Sequence, residues 1–197
     1  MRPYVQRVRA ERSAETHTRI LEAVVALVAE RGTPDVTLAE VAMRAGVSVQ
    51  TVLRRFGSGD GLRAEMLEHA LRLVREERRS PTGDLAAAVA AVVDQYERRG
   101  DAVLALLAHE ATSAQVREFT DQGRLEHRRW VERVFQPALH GAAEPDREEL
   151  TDVLVVATDI ATWRLLRRDR GLSRADVEAR MRRLVSAVVA HAGGRRG

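Results

Sequence analysis

Within the eight residues Val49 to Phe56 stand an amide, a hydroxyl and two guanidinium groups, Gln50, Thr51, Arg54 and Arg55, on the face that Val52 and Phe56 leave outward. An amide can pair with an adenine edge, a guanidinium with guanine or phosphate, and a hydroxyl with either. The set therefore suits a DNA major groove and its phosphate walls. On an isolated helix the same face would be an ordinary solvated surface, as most charged helix faces are. The residues around it decide between the two.

Residues 37 to 56 read TLAEVAMRAGVSVQTVLRRF. Thr37 and, three positions on, Glu40 form a capping box for a short helix that carries Leu38, Val41 and Ala42. Ala45-Gly46-Val47-Ser48 breaks it: Gly46 can take φ > 0, and Ser48 can cap a second helix from Val49 to Phe56. Two short helices meeting at a glycine turn have the layout of a helix-turn-helix over residues 37–56. Ahead of them, a helix from Ser13 to about Arg31, stopped by Gly32, places Ile20, Val24, Leu27 and Val28 on one stripe. With Val41, Ala42, Val52 and Phe56 that stripe can close a three-helix core. Gly57 to Gly61 separate this unit from a helix over about Leu62 to Arg79, and Ser80 to Asp84 form the next break. Further helices are predicted at about Asp84 to Arg98, Asp101 to Ala111, Ser113 to Leu139, Asp146 to Asp169 and Ser173 to Ala192. Their breaks are expected at Gly100, Thr112, His140-Gly141 with Pro145, and Gly171; Gly123 and Pro137 lie inside the third.

Composition agrees with an all-α chain. The 197 residues are 45% hydrophobic, 31% charged and only 4% aromatic. The net charge is +3, and every one of the 32 basic residues is Arg, so every cationic contact is a guanidinium fork. Where the arginines sit matters more than the total. With no Cys there is no disulfide, thiolate zinc site or cysteine nucleophile. No apolar segment reads as a signal peptide or membrane span, so a cytoplasmic protein without a membrane partner is expected. There is no Gly-rich phosphate loop, His-Glu-x-x-His or Gly-x-Ser-x-Gly, and the six histidines are dispersed. No enzyme, catalytic residue, metal site or cofactor is expected, and a helical enzyme is a remote alternative.

Ile20-Leu21-Glu22-Ala23, Glu30-Arg31-Gly32, Thr37 to Ala42, Ala45 to Ser48 and Thr51 to Phe56 together resemble the tetracycline-repressor-like (TetR) family of transcriptional regulators, over about the first 60 to 75 residues. The resemblance implies a helix-turn-helix DNA-binding domain over 14–74 and a helical effector-binding and dimerisation domain over 75–197. It implies base-edge roles for Val49, Gln50, Thr51 and Arg54, and phosphate roles for Thr37, Ser48 and Arg55. The chain departs from the family pattern at Leu53, where a phosphate-binding tyrosine is usual, and at Gly59, where a lysine is common. Arg54 and Arg55 could compensate. So could an N-terminal arm in which Arg2, Arg7, Arg9 and Arg12 face a single Glu11; the alternative is a disordered tail.

The resemblance further implies a homodimer, reading a palindromic double-stranded operator, whose last helix pair packs against its copy. Trp163, Met181, Leu184, Val185, Val188 and Val189 are the candidate interface, with an intrachain core as the alternative. An effector cavity would be lined by Met66, His69, Val103, Leu106, His109, Phe119, His127, Trp130 and Val134, residues that could equally be plain core. The expected function is a regulator, a repressor released by a small hydrophobic or amphipathic effector. A regulator controlled by a protein partner, or by no ligand, is the alternative.

Overall fold

The computed structural model describes the backbone of residues 2–141, 143–144 and 146–194, and their side chains except at 2–6, 8–10 and 194. Among these residues there is no β-strand. The chain folds as α1 (Arg2–Arg31), α2 (Leu38–Ala45), α3 (Val49–Phe56), α4 (Gly59–Glu77), α5 (Leu85–His109), α6 (Ala114–Val134), α7 (Gln136–Leu139), α8 (Asp146–Thr158), α9 (Ile160–Arg164), a π turn (Leu165–Asp169) and α10 (Arg174–Gly194). Among the described residues no helix is long and apolar enough to cross a membrane.

Two apolar cores organise the helices. The first gathers Ile20, Val24, Leu27 and Val28 of α1, Val41 and Ala42 of α2, Val52 and Phe56 of α3, and Leu62 and Met66 of α4. Every residue predicted to close the helix-turn-helix core is therefore inside it. Leu106 of α5 and Val116 of α6 complete the same cluster, so the helix-turn-helix unit is seated on the helices that follow it. Gly32 marks one close approach: a Cβ there would stand 2.8 Å from that of Ala105. The second core joins Val89, Val92 and Tyr96 of α5 to Trp130 and Val134 of α6, Leu154 of α8, Trp163 of α9, and Val177, Met181 and Val185 of α10.

Several element boundaries differ from expectation. α1 does not start at Ser13. It runs from Arg2, and Ser13 lies in its interior, its hydroxyl accepting a hydrogen bond from Arg55. The N-terminal arm is thus a helical extension, along which Arg7 pairs with Glu11 at 3.6 Å; the side chains of Arg2 and Arg9 lie outside the described residues. α4 starts at Gly59 because Ser58 caps it, accepting from the Gly61 N–H at 3.0 Å. Gly100 does not end a helix: α5 passes straight through it, and a Cβ there would lie 2.6 Å from Trp163 Cζ3. That glycine admits an indole ring. The helix predicted from Ser113 breaks at Phe135, before Pro137, and not at Gly123, while Asp159 ends α8 by capping α9. Pro145, expected to help end the preceding segment, lies outside the described residues.

Candidate nucleic-acid interface

The capping box at α2 forms as the sequence predicts. The Thr37 N–H donates to Glu40 Oε2 at 2.8 Å, and the Glu40 N–H donates to Thr37 Oγ1 at 3.3 Å. Arg31 at the end of α1 donates to Glu40 Oε1 at 2.5 Å. With Thr37 it holds the Glu40 carboxyl down to about 2, so the box stays ionised at any physiological pH. Arg44 of α2 pairs with Glu30 of α1, and Arg19 Nε donates to the Ala45 carbonyl at 2.9 Å. These three arginine contacts orient α2 on α1. At the turn Gly46 adopts φ 63, ψ 40, the left-handed conformation in which a side chain is strained. No heavy atom lies within 4 Å of where its Cβ would stand, so backbone conformation alone selects glycine there.

α3 begins at Ser48, whose hydroxyl accepts from the Thr51 N–H at 3.1 Å and lies 2.9 Å from Thr51 Oγ1. Val52 and Phe56 pin its inner face. The ring of His17 on α1 stacks on Phe56 at 4.8 Å, and His17 Nε2 reaches Glu65 of α4 at 3.1 Å. On the other side Ser48, Gln50, Thr51, Leu53 and Arg54 line one open groove of about 500 Å³. Val49 is exposed beside them, and Thr37 is exposed at the start of α2.

Arg55 is placed differently from Arg54. It is half-buried, its Nη1 donates to Ser13 Oγ at 3.0 Å, and its Nε is shielded without a partner. It therefore ties α3 to α1. The other candidate DNA contacts, Thr37, Ser48, Val49, Gln50, Thr51 and Arg54, are exposed or line the groove, and Arg55 stands at its back. Leu53, which in the sequence is only a departure from the family pattern, forms part of the groove wall. The buttressing pairs Arg44–Glu30 and Arg19–Ala45 carry no local signal, since their partners are 14 and 26 residues away.

The nine candidate effector residues do not gather around one cavity. Met66, Leu106 and Phe119 pack with the first core, and Val103, Trp130 and Val134 with the second. His109 is exposed, its Nδ1 donating to the Ala105 carbonyl at 2.9 Å. His69 is buried with Nδ1 2.6 Å from an Arg72 guanidinium nitrogen, and burial, then the Arg72 charge, lowers its pKa. His127 sits deeper, and burial followed by the Arg78 charge brings its pKa to about 3. Because Arg78 can only donate, His127 Nδ1 is the acceptor of the 2.8 Å bond from Arg78 Nη1. The ring proton is then on Nε2, facing Thr158 Oγ1 at 3.2 Å. Clefts open elsewhere, one of about 550 Å³ beside Arg78 and Arg133 and one of about 380 Å³ beside Gln136 and His140.

Of the six candidate interface residues, Trp163, Met181 and Val185 are wholly enclosed by the chain's own second core and are not available to a partner surface. Val188 and Val189 are half-buried against that core, and Leu184 is exposed. α10 needs a wide apolar stripe because α5 and α8 both pack on it.

Residues 20–66 match the family model described as "Bacterial regulatory proteins, tetR family". A protein of Mycobacterium bovis described as an uncharacterized HTH-type transcriptional regulator is 38% identical over 97 residues, which are 49% of this chain and 51% of that protein. An equally similar relative occurs in Mycobacterium tuberculosis. The chain thus spans about half the length of the curated relatives it matches. In fold it is similar to a transcriptional regulator of Rhodococcus sp. Rha1, with TM-score 0.59 and 22% identity, covering 88% of this chain and 96% of that one. A Rhodococcus sp. protein described as a TetR-family transcriptional regulator gives TM-score 0.66 at 18% identity, covering 89% and 99%. The capped helix pair and the glycine turn thus lie inside the stretch, residues 20–66, that matches the model of the tetR family of bacterial regulatory proteins.

Proposed function

We propose that the chain is a DNA-binding transcriptional repressor that works as a homodimer on a palindromic operator and is released by a small effector. One observation carries the reading. α3 is anchored by Val52 and Phe56 and offers Gln50, Thr51 and Arg54 to solvent along a single groove, with the capped N-terminus of the helix at its end. A helix held in this way can enter a major groove with its polar groups at base edges and its first N–H groups toward phosphate. Thr37 and Ser48 flank it as hydroxyl donors to the backbone. The missing tyrosine and lysine leave Arg54 as the exposed guanidinium of the reading helix. Arg55 supports it from behind and can reach phosphate only with the guanidinium N–H groups that Ser13 does not use.

For the dimer, the apolar side chains left in solvent on the two neighbouring helices α8 and α10 support a second copy as partner. These are Val153, Val156 and Leu184. Two reading heads related by a two-fold axis would meet half-sites about one helical turn apart. Release then amounts to a coupling free energy between effector and DNA sites, typically about 1 to 3 kcal/mol. Selection of bound sequences from random duplex DNA tests the core of this proposal. A two-fold symmetric consensus is the expected result, and recovery of no consensus, or of an asymmetric one, refutes it.

A further inference from the structure

Arg78 is a cation in an unusual place. It caps α4 at the junction between the reading unit and the second core, and only 6% of it is exposed. Its Nε and Nη2 donate to Gln95 Oε1 at 3.3 and 2.8 Å, and its Nη1 donates to His127. The guanidinium carbon lies 5.1 Å from the Tyr96 ring centroid and 5.5 Å from that of Trp130. All of these partners are neutral. Buried charges are ordinarily matched by an opposite charge, because desolvation otherwise costs several kcal/mol. No carboxylate of the described residues pairs with Arg78.

The same residue forms part of the wall of the cleft of about 550 Å³, together with Arg75, Arg79, Ser80, Pro81 and Arg133. Four guanidinium groups and no acidic side chain face this space. Arg75 is neutralised by Glu68 and Glu126, each at 3.0 Å, whereas Arg79 and Arg133 have no ion pair among the described residues. Ser80 Oγ is shielded and has no hydrogen-bond partner. Arginines at the end of α4 favour its negative dipole end, which accounts for Arg79. The dipole accounts neither for Arg133, which comes from α6, nor for the burial of Arg78. The frame is fixed: the Arg78 carbonyl accepts from Trp130 Nε1 at 3.2 Å, and the Gly83 N–H donates to the Val134 carbonyl at 2.8 Å.

We propose that this cleft binds the oxyanion head, carboxylate or phosphate, of a small ligand, with Arg79 and Arg133 as direct contacts and Arg78 as the inner counter-charge. Guanidinium forks match both oxyanions, and charge-assisted bonds of this kind are roughly twice as strong as neutral ones. That this ligand is the effector rests on the repressor reading; the site itself does not. α4 runs from the Ser58 cap beside the reading helix to Arg78 in the cleft, so an occupied cleft would act on the far end of the lever that carries α3.

Inorganic pyrophosphate and citrate, titrated calorimetrically into the full chain at constant ionic strength without DNA, test the site and separate the two head-group chemistries. Saturable binding of either is expected, weakened at least tenfold in R79Q/R133Q and unchanged in R54Q, whose arginine lies on the reading helix. The melting temperature of the unliganded double variant shows whether it is folded, and S80A, a smaller change, is expected to weaken the same binding. Absence of saturable binding at millimolar anion, equal binding by the double variant, or loss of binding in R54Q overturns the proposal. Operator affinity measured with and without the binding anion tests the repressor reading separately, because anion binding at the cleft can succeed or fail whatever the DNA result.

Discussion

Gln50 and Arg54 share one exposed groove, but an amide reads bases and a guanidinium also holds phosphate, so their removal is expected to differ. Gln50→Ala should relax base preference at one position of each half-site by about 1 to 3 kcal/mol, seen as a flattened column in the selected consensus. Arg54→Ala should weaken binding to operator and random DNA alike and lower the slope of log K against log salt by about one for each phosphate it no longer neutralises. If neither variant changes DNA binding, α3 is not the reading helix. In the second core, His127 makes stability depend on pH. Its folded pKa of about 3 lies below the ordinary 6.5, so the neutral ring stabilises the fold fully above pH 6.5, and that contribution disappears as pH falls toward 3. At about 1.4 kcal/mol per pKa unit the effect is on the order of a few kcal/mol. His69, also lowered by burial, acts in the same direction. Denaturant midpoints measured from pH 7.5 to 4.5 should therefore fall, and His127→Gln, which keeps an acceptor for Arg78, should flatten that fall. An identical slope in the variant would mean that His127 is not the titrating group.

Two glycines, Gly100 expected from the sequence to separate two helices and Gly123 expected to lie inside one, are both interior to helices and differ in what surrounds them. Gly100 lets α5 pass against Trp163, whereas nothing lies within 4 Å of a Cβ at Gly123 in α6. Gly123→Ala should raise stability by about 0.5 to 1 kcal/mol through helix propensity. Gly100→Ala should lower it by about 1 to 3 kcal/mol, because an enclosed indole must move. Thermal melts of the two variants give the comparison directly, and a stabilised Gly100→Ala would show that the α5 and α9 packing is loose. The capping signals read at Thr37 with Glu40 and at Ser48 mark real helix starts, and the structure adds Ser58, Asp84 and Ser113 as caps of the same kind, since a cap satisfies N–H groups only two or three residues away. Ser13 is the exception. Its hydroxyl accepts a hydrogen bond from Arg55 instead, and that contact spans 42 residues.

For the whole molecule, the apolar residues of α10 divide between the chain's own core and its surface. Met181→Ala or Val185→Ala should therefore destabilise the folded chain by about 1 to 4 kcal/mol. Val156→Glu and Leu184→Glu, on exposed sites, should leave the melting of the protomer nearly unchanged while halving the mass measured by light scattering. A dimer that persists in both charged variants would place the interface elsewhere.

The all-helical class, the capped helix pair α2 and α3 and the buried set around it are legible in the order of residues alone. Caps, glycine turns and the 3.6-residue period are local, and each can be read within a few positions. Which of the 32 arginines is buried, which glycine touches a ring and which apolar residues of the last helix remain in solvent depend on how the helices pack. Arg78 and Arg79 are adjacent, chemically identical and both line one cleft, yet the first is buried among Gln95, Tyr96, His127 and Trp130 and the second is exposed. Those surroundings come from α5 and α6, 17 to 52 residues further along the chain, and no local pattern encodes them.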